Sequence, residues 1–225
     1  MTDPTAPALS RLPDMAEAAR PHARCLLPRD GTGSPSPAGP APAPRAAVVY
    51  SSVTGNTRRV AEALTLERLP LFSVTQAPNL DAYDLLALGF WVRKGLPDAR
   101  AQRCWAGLHG KRIFLFGTLG AWPHSAHSRR CLEGAHALLT ANGNQIVGEF
   151  LCQGRVSPQV LAASARKGTH PMTEGRAARL AEAARHPHAG DLAAARDCWQ
   201  SVLAALAPQA AAPAPDALPH RSIIS

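Results

Sequence analysis

Five short apolar runs punctuate the middle of this chain, and a longer stretch of about helix length separates most of them. They are "AAVVY" (46–50), "LFSV" (71–74), "DLLALGF" (84–90), "KRIFLFGT" (111–118) and "QIVGEFLC" (145–152). The strongest of them are continuous in apolar residues rather than alternating. A strand with no polar face is buried on both sides, as a parallel strand covered by helices is. Apolar spacing predicts helices over 55–67, 98–108, 125–141, 158–166, 173–185 and 190–206. Strands alternating with helices form βαβ units, and right-handed crossovers wind these into one sheet with helices on both faces. The expected fold is α/β, a doubly wound parallel sheet of five strands.

The two ends do not share this pattern. Residues 1–45 hold ten of the 21 prolines, and 207–225 hold four more. Such composition cannot offset the entropy lost on ordering. The expectation is a disordered Pro/Ala-rich arm over 1–45, one folded domain over 46–206 and a flexible tail over 207–225. The domain is large enough to bury a core of its own.

Charge and cysteines narrow the classes. The formal charge is +8, and residues 46–206 carry 18 Lys/Arg against 11 Asp/Glu. A surface this basic favours an acidic partner. Aromatic residues do not interleave with the basic ones and no basic run exceeds two residues, which argues against a nucleic-acid interface. No apolar run reaches membrane-spanning length, and the N-terminus lacks a secretory apolar region. Five cysteines with no CxxC pair fit reduced thiols in the cytoplasm.

The chemistry concentrates in "VVYSSVTGNTRRVAEAL" (48–64). A buried strand ends at Tyr50, six small or polar positions follow, and a helix begins. Where a parallel strand meets a helix N-terminus, the first turn of amides has no intrahelical partner and the dipole end is positive. Phosphate fits there. Gly55 lets the backbone approach, Ser52, Thr54 and Thr57 add hydroxyls, and Asn56 adds an amide. The chain has neither G-x-G-x-x-G nor G-K-[ST], which argues against a dinucleotide fingerprint and a nucleotide-hydrolysing loop.

"YSSVTGNTRRVAEAL" resembles the phosphate loop of the flavodoxin family, S/T-x-T-G-x-T after the first strand. The resemblance implies the strand order 2-1-3-4-5 and the cofactor FMN. It implies that Ser52, Val53, Thr54, Gly55, Asn56 and Thr57 hold the FMN phosphate. Flavodoxins sandwich the flavin ring between the loops after the third and fourth strands. Here these are "GFWVRKG" (89–95) and "GTLGAWPHS" (117–125). That makes Phe90, Trp91, Gly117, Thr118, Leu119, Gly120 and Trp122 the remaining cofactor candidates, with the two indoles flanking the ring. Segments from 46 to about 200 are similar to the short flavodoxin-like proteins related to BilS.

The function this resemblance implies is electron transfer, with FMN carrying electrons from a reductase to an acceptor enzyme. The alternative on the same fold is an NAD(P)H-dependent FMN or quinone oxidoreductase. Arg93, Lys94, Arg100 and Arg103 against one Asp98 would favour the reduced, anionic flavin and raise its second potential, unless solvent screens them. Cys152 reads as a buried small hydrophobe rather than a redox thiol. His124 and His127 read as capping or surface residues, and Thr173 with Glu174 as a helix start. Neither a metal site nor a catalytic triad is expected. No nucleic acid or membrane partner is expected either.

Overall fold

The computed structural model describes residues 14–27, 43–65, 68–168 and 170–207. A seven-stranded sheet forms its centre. In chain order the strands are β1 (His22–Cys25), β2 (Ala46–Tyr50), β3 (Leu71–Ser73), β4 (Leu85–Arg93), β5 (Leu96–Pro97), β6 (Arg112–Leu119) and β7 (Gln145–Gln153). The helices are α1 (Met15–Ala19), α2 (Asn56–Leu64), α3 (Ala99–Trp105), α4 (Ala126–Thr140), α5 (Pro158–Lys167), α6 (Glu174–Ala183) and α7 (Ala189–Leu206).

The sheet runs β1-β7-β6-β4-β2-β3, with β5 paired to the end of β4. Its parallel part is β3-β2-β4-β6-β7, so the five expected strands stand in the order 2-1-3-4-5. Two additions were not expected. β4 runs on to Arg93 and turns back through Lys94 and Gly95, both at positive φ, to pair as a hairpin with β5. β1 lies antiparallel on the outer edge of β7.

β1 and α1 correct the reading of 1–45 as a disordered arm, because 14–27 is folded. β7 would otherwise be a bare edge, and covering such an edge satisfies a row of backbone groups. The rest of the arm, 1–13 and 28–42, and the tail from 208 lie outside the described residues.

Two cores lie on opposite faces. On one, Val60, Ala61 and Leu64 of α2 and Ala195, Cys198, Trp199 and Val202 of α7 pack on Val48, Phe114, Phe116 and Phe150. On the other, Ala101 and Trp105 of α3 and Leu132, Ala135 and Leu139 of α4 pack on Val49, Leu86, Leu88, Phe90 and Leu115. Alternation along each strand sends successive side chains to the two faces. Burying one such large apolar side chain contributes roughly 1.5–3 kcal/mol. The parallel strands deliver their carboxyl ends to one rim, the start of α2 included. Among the described residues no helix is long and apolar enough to cross a membrane.

Candidate functional site

β2 ends in a turn that lifts the chain off the sheet and starts α2. Ser51 is held from behind, its amide donating to Gly89 O at 2.8 Å and its hydroxyl to Asp98 Oδ1 at 2.8 Å. The same Asp98 oxygen caps α3 by accepting the amides of Arg100 and Ala101. Gly55 then takes φ +87°, a left-handed conformation that glycine adopts without steric cost, and its amide donates to Ser52 Oγ at 3.1 Å.

The start of α2 differs from every other α-helix start described. Asp14, Asp98, Ser125, Ser157, Thr173 and His188 each cap their own helix with a side-chain acceptor. Gly55 offers none, so the first amides of α2 are left for something outside the helix. Thr57 is buried, and its hydroxyl lies 2.9 Å from Thr118 Oγ1 and 3.4 Å from Phe90 O.

A cleft opens beside this turn. Ser52, Val53, Thr54, Asn56 and Thr57 form one wall, and Trp91 and Val92 with Thr118, Leu119 and Gly120 form a second. The third wall is Gly154 to Ser157 with Val160. The cavity measures about 640 Å³ with its open mouth. Among the described residues no carboxylate lines it. The donor set of free helix amides, small hydroxyls and Arg155 suits an anion. The Trp91 Nε1 is buried and has no hydrogen-bond partner among the described residues. An FMN phosphate at the turn and an apolar ring against Trp91, Val156 and Val160 are chemically compatible with these walls.

Nine of the thirteen cofactor candidates line the cleft: Ser52, Val53, Thr54, Asn56, Thr57, Trp91, Thr118, Leu119 and Gly120. Asn56 faces it in another role, its side-chain amide donating to Arg155 O at 2.9 Å and so tying the first wall to the third. Four candidates are placed elsewhere. Trp91 points into the cleft, so Phe90, one residue earlier on the same strand, must point to the opposite core. There it is fully buried and packs edge-on against Trp105 at 5.7 Å. Gly117 pairs with Phe90 in the sheet, and the Phe90 ring and Leu151 fill the space beside it. Gly55 borders a second depression beside the turn, with Arg58 and Arg100. Trp122 is not brought to the cleft. Its carbonyl accepts from Ser125 Oγ at 2.8 Å, which commits the 122–125 turn to starting α4. Of the two indoles expected at the cleft, Trp91 lines it and Trp122 does not.

The third wall was missed. Val156 presses so closely on Gly120 that a Cβ there would overlap Val156 Cγ2. "QGRVSP" follows a parallel strand, so its turn lies on the same carboxyl rim as the others. That topological rule could have found it. Arg93, Lys94, Arg100 and Arg103 are all exposed, so solvent screens their effect on anything in the cleft. Cys152 is fully buried, and burial raises its thiol well above the usual range.

A family model for the flavodoxin domain matches residues 47–200. A flavodoxin-like domain-containing protein, BilS of Clostridioides difficile (strain CD3), is 32% identical over 117 residues, 49% of this chain and 66% of that protein. BilS of Clostridium symbiosum (strain WAL-14163) is 30% identical over 175 residues, 66% of this chain and 90% of that protein. Among solved structures, a Lactobacillus acidophilus flavoprotein in complex with FMN matches at 12% identity and TM-score 0.40, over 57% of this chain and 100% of that one. Oxidised flavodoxin 2 of Bacillus cereus matches at 15% and 0.40, over 62% and 94%. Structural likenesses of that size carry no functional argument. The match to the family over most of the folded part does: this chain belongs to the flavodoxin family and is similar to BilS.

Proposed function

We propose that this chain binds one FMN without a covalent bond and passes its electrons between a reductase and an acceptor enzyme. The observation that carries the reading is the start of α2, an uncapped helix N-terminus at the carboxyl rim of a flavodoxin-family sheet. The free amides of the first α2 turn, with Ser52 and Thr54, would hold the phosphate against backbone. Thr57 and Thr118 would brace the turn from behind. Trp91, Val156 and Val160 would cover the ring and exclude water from it. FMN, when bound, supplies one- and two-electron redox chemistry, and the protein sets its potentials.

The partner side rests on charge. Arg58, Arg100 and Arg155 stand around the two depressions beside the turn, and among the described residues no carboxylate lines either one. Arg58 is partly neutralised by Glu62 at 2.7 Å, which leaves Arg100 and Arg155 as the stronger cations. A partner with an acidic docking face would be steered to this rim, at a rate that falls with salt. Mixing the FMN-loaded protein with NADPH and no other protein tests the assignment as a carrier. A carrier turns over NADPH only through an added reductase. Steady oxidation of NADPH by this protein alone would make it an oxidoreductase instead.

A further inference from the structure

Behind the third wall, where α6 ends and α7 begins, His186 lies between two buried carboxylates. Its Nδ1 is 2.6 Å from Asp191 Oδ2 and its Nε2 is 3.1 Å from Glu182 Oε1. The exposed ring of His188 faces the same oxygen, its Nδ1 lying 3.3 Å from Asp191 Oδ2. The two imidazole centroids are 4.5 Å apart, with the ring planes tilted by 33°. One donor atom from each of His186, His188 and Asp191 lies within 4.8 Å of the others.

One acceptor in this cluster, Asp191 Oδ1, is left over. His188 Nδ1 accepts the Asp191 amide at 3.2 Å, so that nitrogen carries its lone pair rather than a proton. A neutral His186 that donates from Nε2 to Glu182 likewise turns the lone pair of Nδ1 toward Asp191. Against these lone pairs Asp191 Oδ2 receives one donor, the His188 amide at 2.8 Å, which closes the capping box at the start of α7. Asp191 is fully buried, and its other oxygen, Oδ1, has no partner among the described residues. Glu182 is also paired with Arg185, so Asp191 is the carboxylate left without a cation of its own unless His186 carries a proton. A proton on His186 is the bland remedy, and it leaves Asp191 Oδ1 unsatisfied.

We propose that His186, His188 and Asp191 form a site for a divalent transition-metal ion of the zinc class. Two imidazole nitrogens and one carboxylate oxygen are ligands such ions take. Glu182 on the far nitrogen of His186 fits the outer carboxylate that orients a ligating imidazole and fixes its tautomer. The exposed side of His188 gives an entry path and room for water as a fourth ligand. On binding, the ion takes the place of any proton shared by His186 and Asp191, and that proton leaves to solvent. Because the His186 carbonyl accepts the Arg155 amide at 3.3 Å, an ion here would also stiffen the chain behind the third wall of the cleft. The proposal does not depend on the cofactor reading.

The test is titration of the full chain, stripped with a chelator, with Co²⁺ and then Zn²⁺. The expected result is saturation at one equivalent, visible d–d absorption from Co²⁺, and its displacement by Zn²⁺. His188→Asn separates ligation from capping, since asparagine caps a helix well but brings no imidazole. It should weaken binding at least about tenfold while leaving the metal-free unfolding midpoint in place, and Glu182→Gln should weaken it by about ten- to a hundredfold. Absence of saturable binding overturns the proposal. So does His188→Asn protein that binds as tightly as the parent.

Discussion

Thr57 Oγ1 lies 2.9 Å from Thr118 Oγ1, and both residues are buried. This one hydroxyl pair ties the first turn of α2 to the end of β6. Thr57→Val keeps the shape and leaves the Thr118 hydroxyl without that partner. The expected cost is about 1–3 kcal/mol, the usual penalty for an orphaned buried polar group, read by urea unfolding. A loss below a few tenths of a kcal/mol would mean that the pair braces nothing.

Gly55 and Gly120 should respond to alanine for different reasons. At Gly55 nothing lies within 4 Å of a new Cβ, so the cost is the left-handed backbone alone, roughly 1–2 kcal/mol. At Gly120 the backbone is unstrained, but the new methyl would displace Val156. Gly120→Ala should therefore weaken FMN binding more than its effect on stability accounts for. Paired unfolding and flavin titrations of the two variants check this.

Glu149 gives the fold an acid limb. Burial pushes its carboxyl up, but hydrogen bonds from His136 and His22 and their positive charge outweigh that and hold it at about 2. Its contribution is complete above the ordinary glutamate range and is lost as pH falls toward 2. Allowing for partial solvation, the contribution is on the order of 2 kcal/mol. Glu149→Gln should remove it at neutral pH and flatten the decline of stability between about pH 5 and 2, as followed by denaturant unfolding.

The thiols should be unequal. Cys131, Cys152 and Cys198 are buried, and burial raises all three, Cys198 to about 11. Folded protein at pH 8 should label slowly at these three and fully after denaturation. Rapid labelling of Cys152 in folded protein would contradict the packing at the end of β7.

The five parallel strands and the six main helices were legible because their signals are local: continuous apolar runs and a helical period. β1 was not. "HARC" is four residues between prolines, and it becomes a strand only by pairing with the edge of β7. The hairpin after Trp91 was hidden by its turn, because Lys94-Gly95 lacks the Asn or Asp that usually marks two positive φ values. At the site, the loop Ser52–Thr57 could be read from residue types. The directions of the Phe90 and Trp122 side chains and the packing against Gly117 could not, since they depend on strand phase and on where β6 ends. Val156 and Val160 carry no chemical signature, and only topology places them beside the turn.

Equilibrium titration of the apo protein with FMN, followed by flavin fluorescence and absorbance, puts the reading of the α2 turn to trial. The expected result is saturation at one FMN per chain and a perturbed flavin spectrum, with affinity lowered about tenfold or more in Trp91→Ala. Natively folded protein that stays colourless, with no saturable change on adding FMN, would contradict it.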